Sequence, residues 1–161
     1  MVQLTIIRDN REQKPWSFEN YPVETTGETI TTGDYTLAEF CDHDEENNTY
    51  QPNFAIERKR GKDFVSSITR DRDRFLNEVK RAAEWECPMP VLIEEPRTTF
   101  KRMQGFMQYR DMSPKQIFGT VEKWERYYNV EFHFVGTRER AQQRAYESLA
   151  TRLRTNLISQ E

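Results

Sequence analysis

Cysteine is scarce: Cys41 and Cys87 are the only two in 161 residues. They form no CxxC pair and no disulfide framework, so they read as free thiols in a reducing compartment. Long apolar runs are also missing. Nothing approaches the roughly eighteen residues of a membrane span, and no signal-peptide pattern opens the chain. The expectation is a soluble, intracellular protein with no membrane contact. There is no internal repeat and no low-complexity linker, which points to one domain over residues 1–161. An excess of positive charge is lacking too: 24 Lys and Arg stand against 27 Asp and Glu, a net charge of −3. That balance alone neither implies nor excludes a polyanionic partner. Hydrophobic residues make up only 35%, but aromatics reach 12% and supply bulk for a core. A chain of this length buries roughly 70% of its unfolded surface.

The charge is unevenly spread. Residues 42–46 (DHDEE) carry four acids and no Lys or Arg, whereas residues 97–110 carry four basic groups and no acid. Residues 138–154 hold five Arg against two Glu. Local basic patches under a mild net negative charge are compatible with a polyanion.

Hydrophobic periodicity predicts an opening strand at 2–8, ended by the turn-prone DNRE. Further strands are predicted at VETTGE, YTLAEF, FAIERK, MPVLIEE and VEFHFV. The acidic stretch 41–53 reads as a mobile loop. Helices are predicted from DFVSSI, over 72–86 with a stop at Pro88, from the Ser113-Pro114 cap through Tyr128, and over 137–157. Strands interleaved with helices indicate an α/β fold with a central mixed β-sheet flanked by helices.

Within FAIERK, period two sends Ala55, Glu57 and Lys59 to one face and Phe54 and Ile56 to the other. Buried charges cost several kcal/mol unless paired or metal-bound. If the neighbouring strand is the one that starts at Asp34, then Asp34 and Glu57 can share a hard divalent cation. Such a cation activates water for attack on a phosphodiester. Lys59 on the same face can orient the nucleophile or stabilise charge developing on the phosphate. Taken alone, E-x-K is more often a solvated strand face than a site.

Four elements in order narrow this choice: DNRE (9–12), GDY (33–35), ERK (57–59) and Asp63. A Gly-Asp, twenty-two residues, ERK, RGK and Asp63 together resemble the nuclease domain of the XPF family of structure-specific DNA endonucleases. The resemblance covers nearly the whole chain. It implies a restriction-endonuclease-like three-layer fold, Mg²⁺ or Mn²⁺ as cofactor, and incision of branched, flapped or junction-containing DNA in repair or recombination. By position it implies Asp34 and Glu57 as metal ligands and Lys59 as catalytic lysine. Arg58, Asp63, Asp9, Arg11 and Glu12 become supporting site residues, and Arg60 and Lys62 contacts to DNA. Three departures stand out. No helix-hairpin-helix module follows, which leaves a homodimer or a partner chain to supply it. The acidic 41–53 segment lengthens the gap between GDY and ERK. Where the family tends to place Arg and then Gln, this sequence has Arg74 and Glu78.

Among the alternating charges of 70–74, Arg72 and Arg74 are the favoured phosphate contacts over a self-neutralised helix start. Lys101 and Arg102 are further candidates for DNA, interleaved with Phe100, Phe106 and Tyr109 as potential stacking groups; the alternative is a solvated loop with its aromatics in the core. Cys41, His43, Asp42 and Asp44 have no second Cys/His pair at a zinc spacing. Ala141, Ala145, Leu149, Leu153 and Leu157 form a helical stripe for core packing, with a subunit interface as a second use.

Overall fold

The structure, a computed structural model, describes residues 3–102 and 112–160. Its strands are β1 (Leu4–Asp9), β2 (Val23–Ile30), β3 (Tyr35–Leu37), β4 (Cys41–Asp44), β5 (Thr49–Pro52), β6 (Glu57–Lys59), β7 (Met89–Ile93) and β8 (Val130–Phe134). The helices are α1 (Gly61–Ser67), α2 (Arg72–Arg81), α3 (Arg97–Arg102), α4 (Pro114–Tyr127) and α5 (Arg138–Ser159). Five strands pair in the order β3-β1-β2-β5-β4 and three in the order β6-β7-β8. An antiparallel bridge between Tyr35 and Ile56 joins the two groups into one mixed sheet. β6, β7 and β8 run parallel, with Lys59 opposite Ile93 and Ile93 opposite Phe134.

Alternation along β7 shows how the layers form. Val91 and Ile93 enter a core with Phe64, Phe75, Val79, Val121 and Trp124 from α1, α2 and α4. Leu92 points the other way, into a core with Ile6, Tyr35, Ile56 and the Ala141, Ala145 and Leu149 stripe of α5. Helices thus cover both faces of the sheet, in the three layers expected. Leu157 and Ile158, at the end of α5, remain exposed.

Ala38–Phe40, read as the end of a strand, form a 3-10 turn, and α3 lies where the sequence predicts no helix. Two further segments also differ from the sequence expectation. Residues 41–53, read as a loop, form the β4–β5 hairpin, with His43 opposite Tyr50 and β5 parallel to β2. Asp44 makes the turn by accepting from the backbone N–H groups of Glu46 and Asn47, and Asn48 takes φ 51°. Acidic composition hid a strand pair whose turn is built by Asp and Asn side chains. Helix α2 stops at Arg81, short of Glu86. The Asn129 side-chain amide donates to the carbonyls of Ala82, Trp85 and Cys87 and holds that stretch in turns. At α4 the expected cap is present as a full capping box between Ser113 and Gln116.

Cys41 donates to the Leu37 carbonyl, and the His43 ring stacks on Tyr50. Phe100 is fully buried in the core, while Phe106, Tyr109 and Arg110 lie outside the described residues. Among the described residues, no helix is long and apolar enough to cross a membrane.

Candidate active site

The Gly33-Asp34 turn sets the site. Gly33 has φ 85°, and a Cβ there would sit 2.6 Å from Cβ of Ala55. Both the backbone angle and the space therefore demand glycine. Its N–H donates to Oε1 of Glu78 at 2.9 Å, tying α2 to the turn. The backbone N–H of Asp34 donates to the Ile56 carbonyl, and the Asp34 carbonyl accepts from the N–H of Asp9. The Asp34 carboxylate accepts the N–H of Arg58 at 2.8 Å. The chain is thus pinned on both sides where its carboxylate meets Glu57. Gly33→Ala should lower stability by about 2–3 kcal/mol through strain and overpacking. Gly119→Ala in α4, where an added Cβ meets nothing, should raise it by up to about 1 kcal/mol. Urea unfolding of the two variants checks this contrast.

Glu57 is 3% exposed and shares a side-chain hydrogen bond with Asp34. Burial, the Asp34 charge and the Glu78 charge push the Glu57 carboxyl well above its usual range. Burial, the main cause, raises Asp34 to about 6. The two carboxyls therefore titrate as a pair that keeps a proton above the usual carboxylate range. Lys59 Nζ lies 3.7 Å from Glu57 Oε2 and 4.7 Å from the centre of the Phe75 ring. Burial works to lower the lysine pKa, but Glu57, Asp34, Glu78 and Asp63 outweigh it, so Lys59 stays a cation.

The pKa shifts carry a pH signature for the metal-free protein. Both carboxyls are raised on folding, so their contribution is full below the unfolded values near 4; the Asp34 part is lost as pH climbs through about 6, and the Glu57 part goes on falling as pH climbs towards its own raised value. Thermal melts in a chelator should show a loss on the order of 2 kcal/mol between pH 5 and 7.5, and a flatter profile for Asp34→Asn.

Arg58 points to the opposite face from Glu57 and Lys59. Its Nε donates to Glu94 at 2.6 Å, and its Nη1 donates to Glu12 at 3.0 Å and to the Lys14 carbonyl at 2.8 Å. Trp16 Nε1 joins at Glu94 and the Tyr35 hydroxyl at Glu12. Arg58 and Glu12 thus form a buried lattice behind the carboxylates. Asp9 is 3% exposed; Oδ2 accepts from Arg11, whereas the buried Oδ1 has no hydrogen-bond partner among the described residues.

An open cleft of about 550 Å³ lies over this centre. Asp9, Arg11, Glu12, Asp34, Glu57, Arg58, Lys59, Asp63 and Arg74 all line it. Asp63 is exposed in the first turn of α1 beside Arg60. Arg60 and Lys62 are exposed at the start of that helix, outside the cleft lining. Lys101 and Arg102 are exposed at the end of α3, also outside it. Arg72 does not line the cleft and stacks over the Trp124 ring at 5.4 Å, which leaves Arg74 as the rim residue of that pair. The sequence pattern did not single out Arg70 and Arg81 for the rim, and Glu78 stood there only as a departure from a family pattern. Arg81 spacing on α2 matches an ordinary exposed helix face, and nothing local marks it. Arg74, Glu78 and Arg81 do share an i, i+4, i+7 face, a helix-periodic signal that could have found all three.

A buried carboxyl, Glu57, meeting a half-buried one, Asp34, with a third acid close by, suits a hard divalent cation. A cation held there would compete with the proton for these carboxylates, its other ligands being left to water or phosphate. The chemistry of the donor set therefore fits Mg²⁺ or Mn²⁺ at Asp34 and Glu57. Among the described residues, no group of three His, Cys, Asp or Glu side chains is arranged to hold a metal, so the protein's own carboxylate ligands there would be two.

Asp34 before β3 and Glu57 and Lys59 of β6, brought together where the two strand groups meet, define an α/β fold with an open, charge-lined cleft. The chain belongs to the ERCC4 domain family, whose model matches residues 8–143. Among solved structures it resembles XPF from Aeropyrum pernix, with a TM-score of 0.66 and 20% identity over 97% of this chain and 67% of that one. A second similar structure is XPF from Aeropyrum pernix in complex with DNA, with a TM-score of 0.60 and 20% identity over 96% of this chain and 66% of the other. The chain therefore spans about two thirds of the length of each. No curated protein matches it.

Proposed function

We propose that this chain is a divalent-metal-dependent endonuclease that hydrolyses phosphodiester bonds in DNA, at branches, flaps or junctions. One observation carries the reading: the half-buried Asp34 and the buried Glu57, with Lys59 Nζ 3.7 Å from Glu57, line one cleft rimmed by arginines. Membership of the ERCC4 domain family supports it.

Asp34 and Glu57 would hold the cation, which supplies Lewis acidity to the scissile phosphate and to water. Burial and the Gly33 turn fix the two carboxylates before substrate arrives, so little reorganisation is needed. Lys59 keeps its proton, so it serves as a positive charge for the developing phosphate oxyanion and not as a general base. Arg58 holds the strand register through its backbone bond to Asp34 and its side-chain lattice. Arg70, Arg74 and Arg81 offer guanidinium groups to the flanking phosphates.

Cleavage of end-labelled duplex, single strand, 3′ flap, fork and nicked junction in Mg²⁺ or Mn²⁺ tests the proposal. Metal-dependent cutting with flaps or forks preferred is the expected result. Absence of cutting by folded, metal-supplied protein on every substrate would sink it.

A further inference from the structure

β6, β7 and β8 are parallel and in register, so their C-terminal ends share one edge of the sheet. Lys59 of the candidate centre is at the end of β6. Two inter-strand spacings away, about 10 Å, is the end of β8. Immediately beyond the strand ends lie Arg97, which opens α3 after β7, and Arg140 and Arg144 in the first turns of α5 after β8. These three arginines line one cavity of about 500 Å³ beside Phe134, against one acid, Glu147.

The arginines are exposed, and none forms an ion pair among the described residues. Two are held in place. The Arg97 guanidinium sits over Phe134 at 4.8 Å and over Phe118 at 5.0 Å. Arg144 Nη1 donates to His133 Nδ1 at 3.4 Å, and the opposite ring nitrogen meets Glu131 at 3.1 Å. Pre-oriented guanidinium groups without a carboxylate partner suit phosphate oxygens, which they can fork.

We infer that Arg97, Arg140 and Arg144 form a second phosphate-binding subsite, which takes the backbone of the nucleic acid whose scissile bond lies in the cleft. This rests on the nuclease reading. About 10 Å of sheet edge corresponds to about three nucleotides at 3.4 Å each, so the subsite engages phosphates outside the cleavage step. It contributes affinity and direction of approach and does not touch the reacting atoms.

Fluorescence anisotropy of a labelled DNA fork, in a chelator and over a salt series, tests this with the full chain. Arg140→Ala/Arg144→Ala should weaken binding about tenfold and reduce the salt slope by about two. Single-turnover cleavage at saturating protein should stay unchanged. Lys123→Ala/Arg126→Ala, which removes two exposed charges from α4, should change neither affinity nor slope. If the arginine variant binds as tightly and with the same slope as a wild type that does bind and cut, the subsite is wrong and the nuclease reading stands. If the wild type neither binds nor cuts any DNA, the nuclease reading falls and the subsite with it.

Discussion

Glu57→Gln is expected to lower the single-turnover cleavage rate by roughly a thousandfold or more, about 4 kcal/mol of transition-state stabilisation. The substitution is close to isosteric, and its amide can still donate to the Asp34 carboxylate, so packing survives. What disappears is the second negative charge facing the cation. Without it, the remaining Asp34 carboxylate neither binds a hard cation tightly nor places it against phosphate. The folded state should behave in the opposite sense. Wild-type Glu57 is buried beside two further acids and is strained when ionised. In a chelator at neutral pH, Glu57→Gln should therefore melt at a higher temperature than wild type. Added Mg²⁺ should raise the wild-type melting temperature and leave the variant unmoved. Activity and stability would then move in opposite directions, the trade-off expected of a functional site. A variant that cuts at the wild-type rate, or one that loses both activity and stability, would remove Glu57 from the proposed role.

The layered fold was legible because its signals are local. The apolar run of β7 between prolines, the Ser113-Pro114 cap and the 141–145–149 stripe can each be read within a few residues. The central charges were legible for a similar reason. Glu57 and Lys59 are two residues apart on a strand that otherwise has apolar neighbours, which is costly without a purpose. The rest depended on long-range geometry. The β4–β5 hairpin is held by Asp44 and Asn48 turn chemistry, and acidic composition masks that pairing. The approach of Glu78 to Gly33 spans 45 residues, and its reason is a hydrogen bond to one backbone N–H. Arg72 and Arg74 look equivalent in sequence. Helical rotation decides between them, placing Arg72 on Trp124 and Arg74 on the cleft rim.

Arg58→Ala should cost about 3–5 kcal/mol of stability, because it strands two acids that the fold has buried around one guanidinium. The Glu12 and Glu94 side chains are only 14% and 10% exposed, and Arg58 itself 6%. The Lys14 carbonyl loses one of its two donors and keeps Arg138. Chemical denaturation at neutral pH reads the loss. A triple variant, Arg58→Ala with Glu12→Gln and Glu94→Gln, should recover a substantial part of it, since amides need no cation between them. If the triple variant is no more stable than the single one, the cost lies in lost packing over Trp16 and not in unpaired charge. Activity separates the roles further. Arg58 lines the cleft too, but it leaves the strand on the face opposite Glu57 and Lys59 and its guanidinium is tied to Glu94, Glu12 and the Lys14 carbonyl, so it is not free to meet the scissile phosphate. Its backbone N–H still holds Asp34 in the Ala variant. At a temperature well below its melting point, Arg58→Ala should therefore keep far more cleavage than Glu57→Gln. An equal loss in both would mean that the guanidinium reaches the reacting phosphate after all, and that the lattice of Glu12 and Glu94 opens when DNA binds.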